Sequence, residues 1–165
     1  MDLSKNFKIT AAIEPDVPAI LAMIRELATF ENLEHELQVT RESLRRALFG
    51  PRPSANALVA RSYGEPAGYA VYYRTFSTFL GQPGIFLEDI YVRPFYRNCG
   101  FGTALLERVA RDESMDGLGR FEWIVLRWNE NALRFYRNLG AELLENWICV
   151  RMSGEPLSRI REEAS

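Results

Sequence analysis

Histidine and cysteine are nearly missing from this sequence. There is one histidine, His35, and there are two cysteines, Cys99 and Cys149. One His and two distant Cys cannot supply the usual ligand spacing of a zinc site, so no metal is expected. Two cysteines cannot build a disulfide framework either. A Ser-His-Asp or Cys-His hydrolase would have to use His35, and no G-x-S-x-G elbow accompanies it. No apolar run approaches the roughly 18 residues that span a membrane. The segment "MDLSKNFKIT" has no long apolar core and no small-residue cleavage pattern, so no signal peptide is read. The expected location is the cytoplasm, with no membrane partner. Net charge is −2 and the pI is near 5.6. Basic clusters are short, which argues against a nucleic-acid partner.

What is present is an ordinary globular balance. Over 165 residues, 47% are hydrophobic and 25% charged. That composition fits one domain, residues 1–165, with a real core. "FKITAAI" (Phe7–Ile13) reads as a first strand. Val17, Ile20, Leu21, Ile24, Leu27 and Ala28 follow helical spacing, with Asp16 as N-cap and Pro18 in the first turn. A second helix follows Thr40 and ends at Gly50-Pro51. "ALVARSYGEPAGYAVYYRTF" reads as a hairpin around Gly64-Glu65-Pro66. "GIFLEDIYV" is a further strand, and a helix Gly102–Arg111 comes next. "FEWIVL" reads as a strand, and "NENALRFYRNLG" as a helix closed by Gly140. "NWICVRM" reads as a last strand, and "EPLSRIREEAS" as a short terminal helix. The order β-α-α-β-β-β-α-β-α-β gives an α/β fold: a mixed sheet with helices on both faces and parallel crossovers in the second half.

The stretch "EDIYVRPFYRNCGFGTALLERV" concentrates the chemistry. An apolar strand end (Ile90, Tyr91, Val92) breaks into a basic, glycine-bearing turn that restarts at once as a helix. The first backbone N–H groups of a helix lack partners, and the dipole there is positive, so anions bind. Gly100 and Gly102 leave the backbone bare. Arg97 adds a positive charge, and Thr103 can donate a hydroxyl. A Walker loop is excluded, because no Lys follows a Gly here. A Rossmann turn lacks its third glycine, since Leu105 stands in its place. The pattern R-x-x-G-x-G remains, as Arg97-Asn98-Cys99-Gly100-Phe101-Gly102. It resembles the pyrophosphate cradle of coenzyme A-dependent N-acetyltransferases. A glycine-rich connection that lets the helix pack closely is the plainer alternative. A second segment, "WNENALRFYRNLGAE", has Asn129 opening a helix, Ala132, the Phe135-Tyr136 pair and Gly140. Leu133 and Tyr136 fall on one helix face. Acids cluster at Glu31, Glu34, Glu36 and at Glu88, Asp89, as a solvated surface or as a wall for a cationic substrate.

With both motifs in order, the chain resembles the GNAT superfamily of N-acetyltransferases. Within it, the chain is most similar to the spermidine/spermine- and thialysine-acetylating group. "IRELATFENLE", "FLEDIYV", "RNCGFG" and "WNENALRFYRNLGAE" carry the likeness, with Trp147 and an acidic tail. The resemblance implies a mostly antiparallel sheet with a splayed parallel pair. It implies acetyl-CoA as donor, a small cationic primary amine as acceptor (polyamine, diamine or thialysine-like), and a homodimer. Ile90, Tyr91 and Val92 would hold the pantetheine through strand backbone. Arg97, Asn98, Cys99, Gly100, Phe101, Gly102 and Thr103 would wrap the pyrophosphate. Asn129, Glu130, Asn131 and Ala132 would line the other side of the coenzyme. Tyr136, also beside the coenzyme, would be the acid toward the leaving sulfur. Phe30, Glu31, Glu88, Glu122, Trp123 and Ile124 would line the amine site. Phe30 stands where the polyamine enzymes have Tyr.

The chemistry suits those residues. A lysine-like amine has a pKa near 10.4, so making it neutral at pH 7 costs about 4.6 kcal/mol. Glu88, ending an apolar strand, can take that proton directly or through water, or act as a counter-ion. A thiol titrates near 8.5 against about 10 for Tyr, so Tyr136 can hydrogen-bond to or protonate a thiolate. A protein- or peptide-directed acetyltransferase, or a coenzyme A-binding module without turnover, is the competing reading.

Overall fold

The computed structural model describes residues 6–112 and 117–163. Residues 1–5, part of the segment read for a signal peptide, and residues 164–165 of the expected tail helix lie outside the described residues. The described chain forms two compact units, one through Ile124 and one from Val125.

Five strands build the first unit: β1 (Phe7–Ala11), β2 (Asn56–Ser62), β3 (Glu65–Ser77), β4 (Gln82–Val92) and β5 (Arg120–Trp123). They lie side by side in chain order. The first three pairings are antiparallel and β4–β5 is parallel. Consecutive strands joined by short turns pair antiparallel, whereas a parallel neighbour needs a crossover. Helix α3 (Phe101–Ala110) lies in that crossover. The β2–β3 turn is tighter than the Gly64-Glu65-Pro66 signal implies. Tyr63 and Gly64 both take positive φ, 50° and 89°, as a two-residue hairpin turn of matching twist requires. Glu65 already belongs to β3.

Helices α1 (Val17–Glu31) and α2 (Arg41–Phe49) cover one face of the sheet. Val17, Ile20, Leu21 and Met23 of α1 and Leu44 and Leu48 of α2 pack with Val59, Tyr69, Val71 and Tyr91. Helix α3 covers the other face through Phe101, Leu105, Leu106 and Val109, all buried. Tyr72 shows the alternation. Its neighbour Val71 joins the α1/α2 core, while its own hydroxyl reaches Asp112, just past α3, at 2.7 Å. The sheet is therefore mixed and mostly antiparallel, with helices on both faces.

Asp16 stands at the start of α1 but does not cap it with its side chain. Its carboxylate accepts from the Ile13 N–H at 3.0 Å and pairs with Arg61 of β2. Thr40 does cap α2: its Oγ1 accepts from the Ser43 N–H at 3.1 Å.

The second unit carries α4 (Glu130–Asn138) and α5 (Gly154–Glu163). Gly140 takes φ 84° just past α4, the left-handed exit that favours glycine. The strand expected over "NWICVRM" is not formed; the segment is irregular, and Trp147, Ile148 and Val150 are exposed. A strand requires a partner edge for its backbone groups, and no ladder reaches these residues among those described. No helix is long and apolar enough to cross a membrane among the described residues.

Candidate active site

The β4–β5 ladder is short. It runs from Gly84 opposite Arg120 to Leu87 opposite Trp123. Strand β4 continues to Val92 paired with β3 alone, because β5 ends at Trp123. Ile90, Tyr91 and Val92 lie on this stretch, which pairs with β3 on one edge and with no second strand among the described residues. An extended molecule can add itself to such an edge.

A β-bulge sits where the β4–β5 ladder ends. Val71 pairs with Asp89 and Tyr72 with Leu87, leaving Glu88 as the extra residue of β4. Bulges break the two-residue alternation and re-aim side chains. The Tyr69 hydroxyl donates to Asp89 Oδ2 at 3.1 Å. Burial pushes the Asp89 carboxyl up to about 6; the Tyr69 hydrogen bond opposes this, and the Glu88 charge adds to it. Glu31, at the end of α1, is also raised, by burial and then by the charge of Asp89. The Tyr73 hydroxyl is raised by burial and then by the charge and hydrogen bond of Glu88. Glu31, Glu88 and Asp89 thus form one acidic group flanked by Tyr69 and Tyr73. Glu34 and Glu36 do not join it. They lie on an exposed turn with His35, which is 3.9 Å from Glu36.

The remaining acceptor-wall candidates divide. Phe30 is near the end of α1, 39% exposed. Glu122 stands beside Phe86 in the ladder, with Oε2 2.7 Å from Arg120 Nε, so its charge is answered within β5. Trp123 stands beside Leu87, on the opposite face of the sheet from Glu122. Ile124 is exposed just past the strand.

The end of β4 is clamped from two sides. Arg93 donates to both oxygens of Glu26 on α1, its Nη2 at 2.8 Å, and to the Pro66 carbonyl at 2.7 Å. The Arg93 N–H also donates to the Ala67 carbonyl. This fixes where the following turn begins. In that turn Asn98 takes φ 60° and Gly100 φ 85°, and no side chain caps the start of α3. Left-handed residues in such a turn aim successive N–H groups inward, a nest for an anion. A Cβ on Gly100 would meet no protein atom within 4 Å, so the space beside the turn is open. The cradle fits a diphosphate. The Cys99 thiol is turned away toward the Arg97 carbonyl at 3.5 Å. Thr103 lies in the first turn of α3, and Phe101 is buried beneath it. Arg97 is engaged locally. Its Nε donates to the Val92 carbonyl at 2.9 Å, and its guanidinium lies 5.2 Å from the Phe30 ring centroid and 5.6 Å from that of Tyr91.

In the second unit, Asn129 caps α4: its side chain accepts from the Ala132 N–H at 3.2 Å. Glu130 is exposed in the first turn, and Asn131 accepts from Arg134 at 2.8 Å. Leu133 and Tyr136 are the buried pair of this helix, with the Tyr136 ring 5.2 Å from that of Phe135.

Sequence reasoning named Asp89 only among the clustered acids, and passed over Tyr69, Tyr73 and the Arg93–Glu26 clamp. The doublet Glu88-Asp89 was the available signal. Plain alternation sends its members to opposite faces; only the bulge gathers them.

Comparison with known proteins agrees with this geometry. The acetyltransferase (GNAT) family model matches residues 21–141. A thialysine N-epsilon-acetyltransferase of Mus musculus is 38% identical over 93% of this chain and 96% of its own. An L-ornithine N5-acetyltransferase of Arabidopsis thaliana is 29% identical over 93% of this chain and 87% of its own. An integron cassette protein from V. cholerae superposes with a TM-score of 0.78 at 19% identity, over 95% of this chain and 98% of that one. The fold, the motifs and the whole-length likeness converge: the chain belongs to the acetyltransferase (GNAT) family.

Proposed function

We propose that this protein transfers the acetyl group of acetyl-CoA to the primary amine of a small cationic molecule, by direct attack. The observation that carries this reading is the continuity along β4. Within one strand and its exit stand an acidic group at a bulge, a backbone edge without a second strand among the described residues, and a bare nest at a helix start. Family membership and the two amine-acetylating relatives support it.

Each part has a task. Asn98 to Thr103 would hold the diphosphate, and the backbone of Ile90, Tyr91 and Val92 the pantetheine arm. Acetyl-CoA supplies an activated acyl group. Glu31, Glu88 and Asp89 would attract the ammonium form of the acceptor and accept its proton. A carboxyl near 6 is far better matched to that task at neutral pH than one near 4. By the family resemblance, Asn129 to Ala132 would also bind the coenzyme and the Tyr136 hydroxyl would be the acid toward the departing sulfur. Residues 1–165 would act as one domain; the family model crosses the junction at Ile124/Val125.

The acceptor class we propose includes diamines, polyamines and amino acids such as thialysine or ornithine. Turnover of acetyl-CoA against these and against peptide N-termini tests it; a preference for the peptides would favour a protein-directed enzyme. We further propose a cytoplasmic homodimer. Two unpaired cysteines suit a reducing compartment. Light scattering that finds only monomer at micromolar concentration would count against the dimer.

A further inference from the structure

A cavity of about 310 Å³ lies at the end of the sheet where β1 finishes. That is the size of a site for one small molecule. Helix α3 separates it from the cradle: from Gly100 to Arg108 the helix rises about 12 Å. It is also on the other face of the sheet from the acidic group. Asn56 pairs with Tyr72 and stands two residues from Leu58, so these three share the face that α3 covers. Tyr69 and Tyr73, which flank the acidic group, point the opposite way. The cavity floor is apolar: Leu48 and Leu58 are buried and Phe49 is half-buried. Its rim carries opposite charges, Arg108 and Asp112, where α3 ends. The Tyr72 hydroxyl donates to Asp112 Oδ2 at 2.7 Å and holds that carboxylate at the rim. Burial, and then that bond, raises the Tyr72 hydroxyl, so it stays a donor at neutral pH; the charge of Arg108 also reaches it. Arg108 is exposed and makes no ion pair or hydrogen bond among the described residues, and the Asn56 side chain makes no hydrogen bond among them.

We propose that this cavity is a second binding site, distinct from the site of acetyl transfer, for a free α-amino acid with an apolar side chain. A carboxylate alone would meet Asp112 as well as Arg108, and an amine alone would meet Arg108 as well as Asp112. A zwitterion answers both, because its two charges leave one carbon. The guanidinium can take the carboxylate as a fork. Asn56 adds a hydrogen bond, and Asp112 accepts from the ammonium. The apolar side chain packs on Leu48, Phe49 and Leu58. The place of the site makes it regulatory. Tyr72 is one flank of the β3–β4 irregularity that leaves Glu88 as the extra residue of β4. A ligand packed on Tyr72 therefore bears on the step that gathers Glu88 and Asp89.

The test titrates L-leucine calorimetrically into the full chain, without acetyl-CoA and with thialysine saturating the acceptor site. One equivalent should bind at millimolar concentration or below. N-acetyl-L-leucine, which lacks the ammonium, and isoamylamine, which lacks the carboxylate, should each bind more weakly by about tenfold or more. Arg108→Ala should weaken leucine by a similar factor. Ala11→Trp, which fills the cavity from an exposed position, should abolish its binding. No binding of leucine, or equal binding of all three probes, overturns the site. Leucine that binds only when thialysine is omitted belongs to the acceptor site, which also overturns it, as does an affinity unchanged in both variants. Saturating leucine should further change the rate of acceptor acetylation by at least about twofold in the wild type and not in Ala11→Trp. That last arm alone rests on the small-amine reading above. Turnover that leucine leaves unchanged overturns the regulatory role, whereas no turnover of any amine fails that reading instead.

Discussion

The Tyr69 hydroxyl donates to Asp89 Oδ2 at 3.1 Å, beside the bulge that Glu88 makes in β4. That bond ties a buried tyrosine of the α1/α2 core to a carboxyl of the candidate active site. It stabilises the ionised carboxylate, but burial outweighs it and leaves the group near 6. Structure and chemistry therefore oppose each other at Asp89.

A stability measurement follows from that opposition. The folded pKa of Asp89 is raised from 3.8 to about 6, so between those values the native state binds more proton than the unfolded chain. This group's contribution to stability is therefore present at low pH and declines as pH rises through that window. The full change is at most about 3 kcal/mol. Asp89→Asn cannot ionise, so it should gain on the wild type from about pH 4 to about pH 6.5. Urea midpoints across that range check it; a constant difference between the two proteins would refute the raised pKa.

Gly100→Val should bind acetyl-CoA more weakly by a factor of about ten to a hundred and fifty. That is the loss expected when a charge-assisted contact of about 1.5–3 kcal/mol is blocked. The new side chain enters the open space beside the turn. Its left-handed backbone also strains any L residue by roughly 1–2 kcal/mol, so denaturation should report a separate loss of that size. Calorimetric titration of the folded variant decides; unchanged affinity would remove the diphosphate from this turn.

Tyr136→Phe should lower kcat far more than it changes the acceptor KM, because the hydroxyl is needed mainly when the sulfur departs. The ring remains, so the buried packing of α4 should survive. Wild-type kcat in the variant, under conditions where chemistry limits the rate, would exclude the acid role.

Much of this was legible in the sequence, for identifiable reasons. The α1 stripe at Val17, Ile20 and Leu21 announces itself by period, and so does β4 by its apolar run. The nest is legible because a bare Gly100 beside Arg97 has few other uses. The bulge at Glu88 is not: a one-residue slip between β3 and β4 leaves no mark on either strand's composition. The placement of Arg97 on Phe30 is invisible for a different reason, since α1 and the exit of β4 are far apart in sequence. "NWICVRM" misled by propensity. Its apolar residues suit a strand, but strand formation depends on a partner edge that composition does not report.

The most direct measurement is to identify the product. The protein is incubated with acetyl-CoA and thialysine, and the product is analysed by mass spectrometry with fragmentation. One acetyl group on the side-chain amine, formed with stoichiometric release of coenzyme A and reduced sharply in Glu88→Gln, is the result this account requires. Coenzyme A release without an acetylated amine, or no turnover with thialysine, ornithine, diamines and polyamines alike, would contradict it.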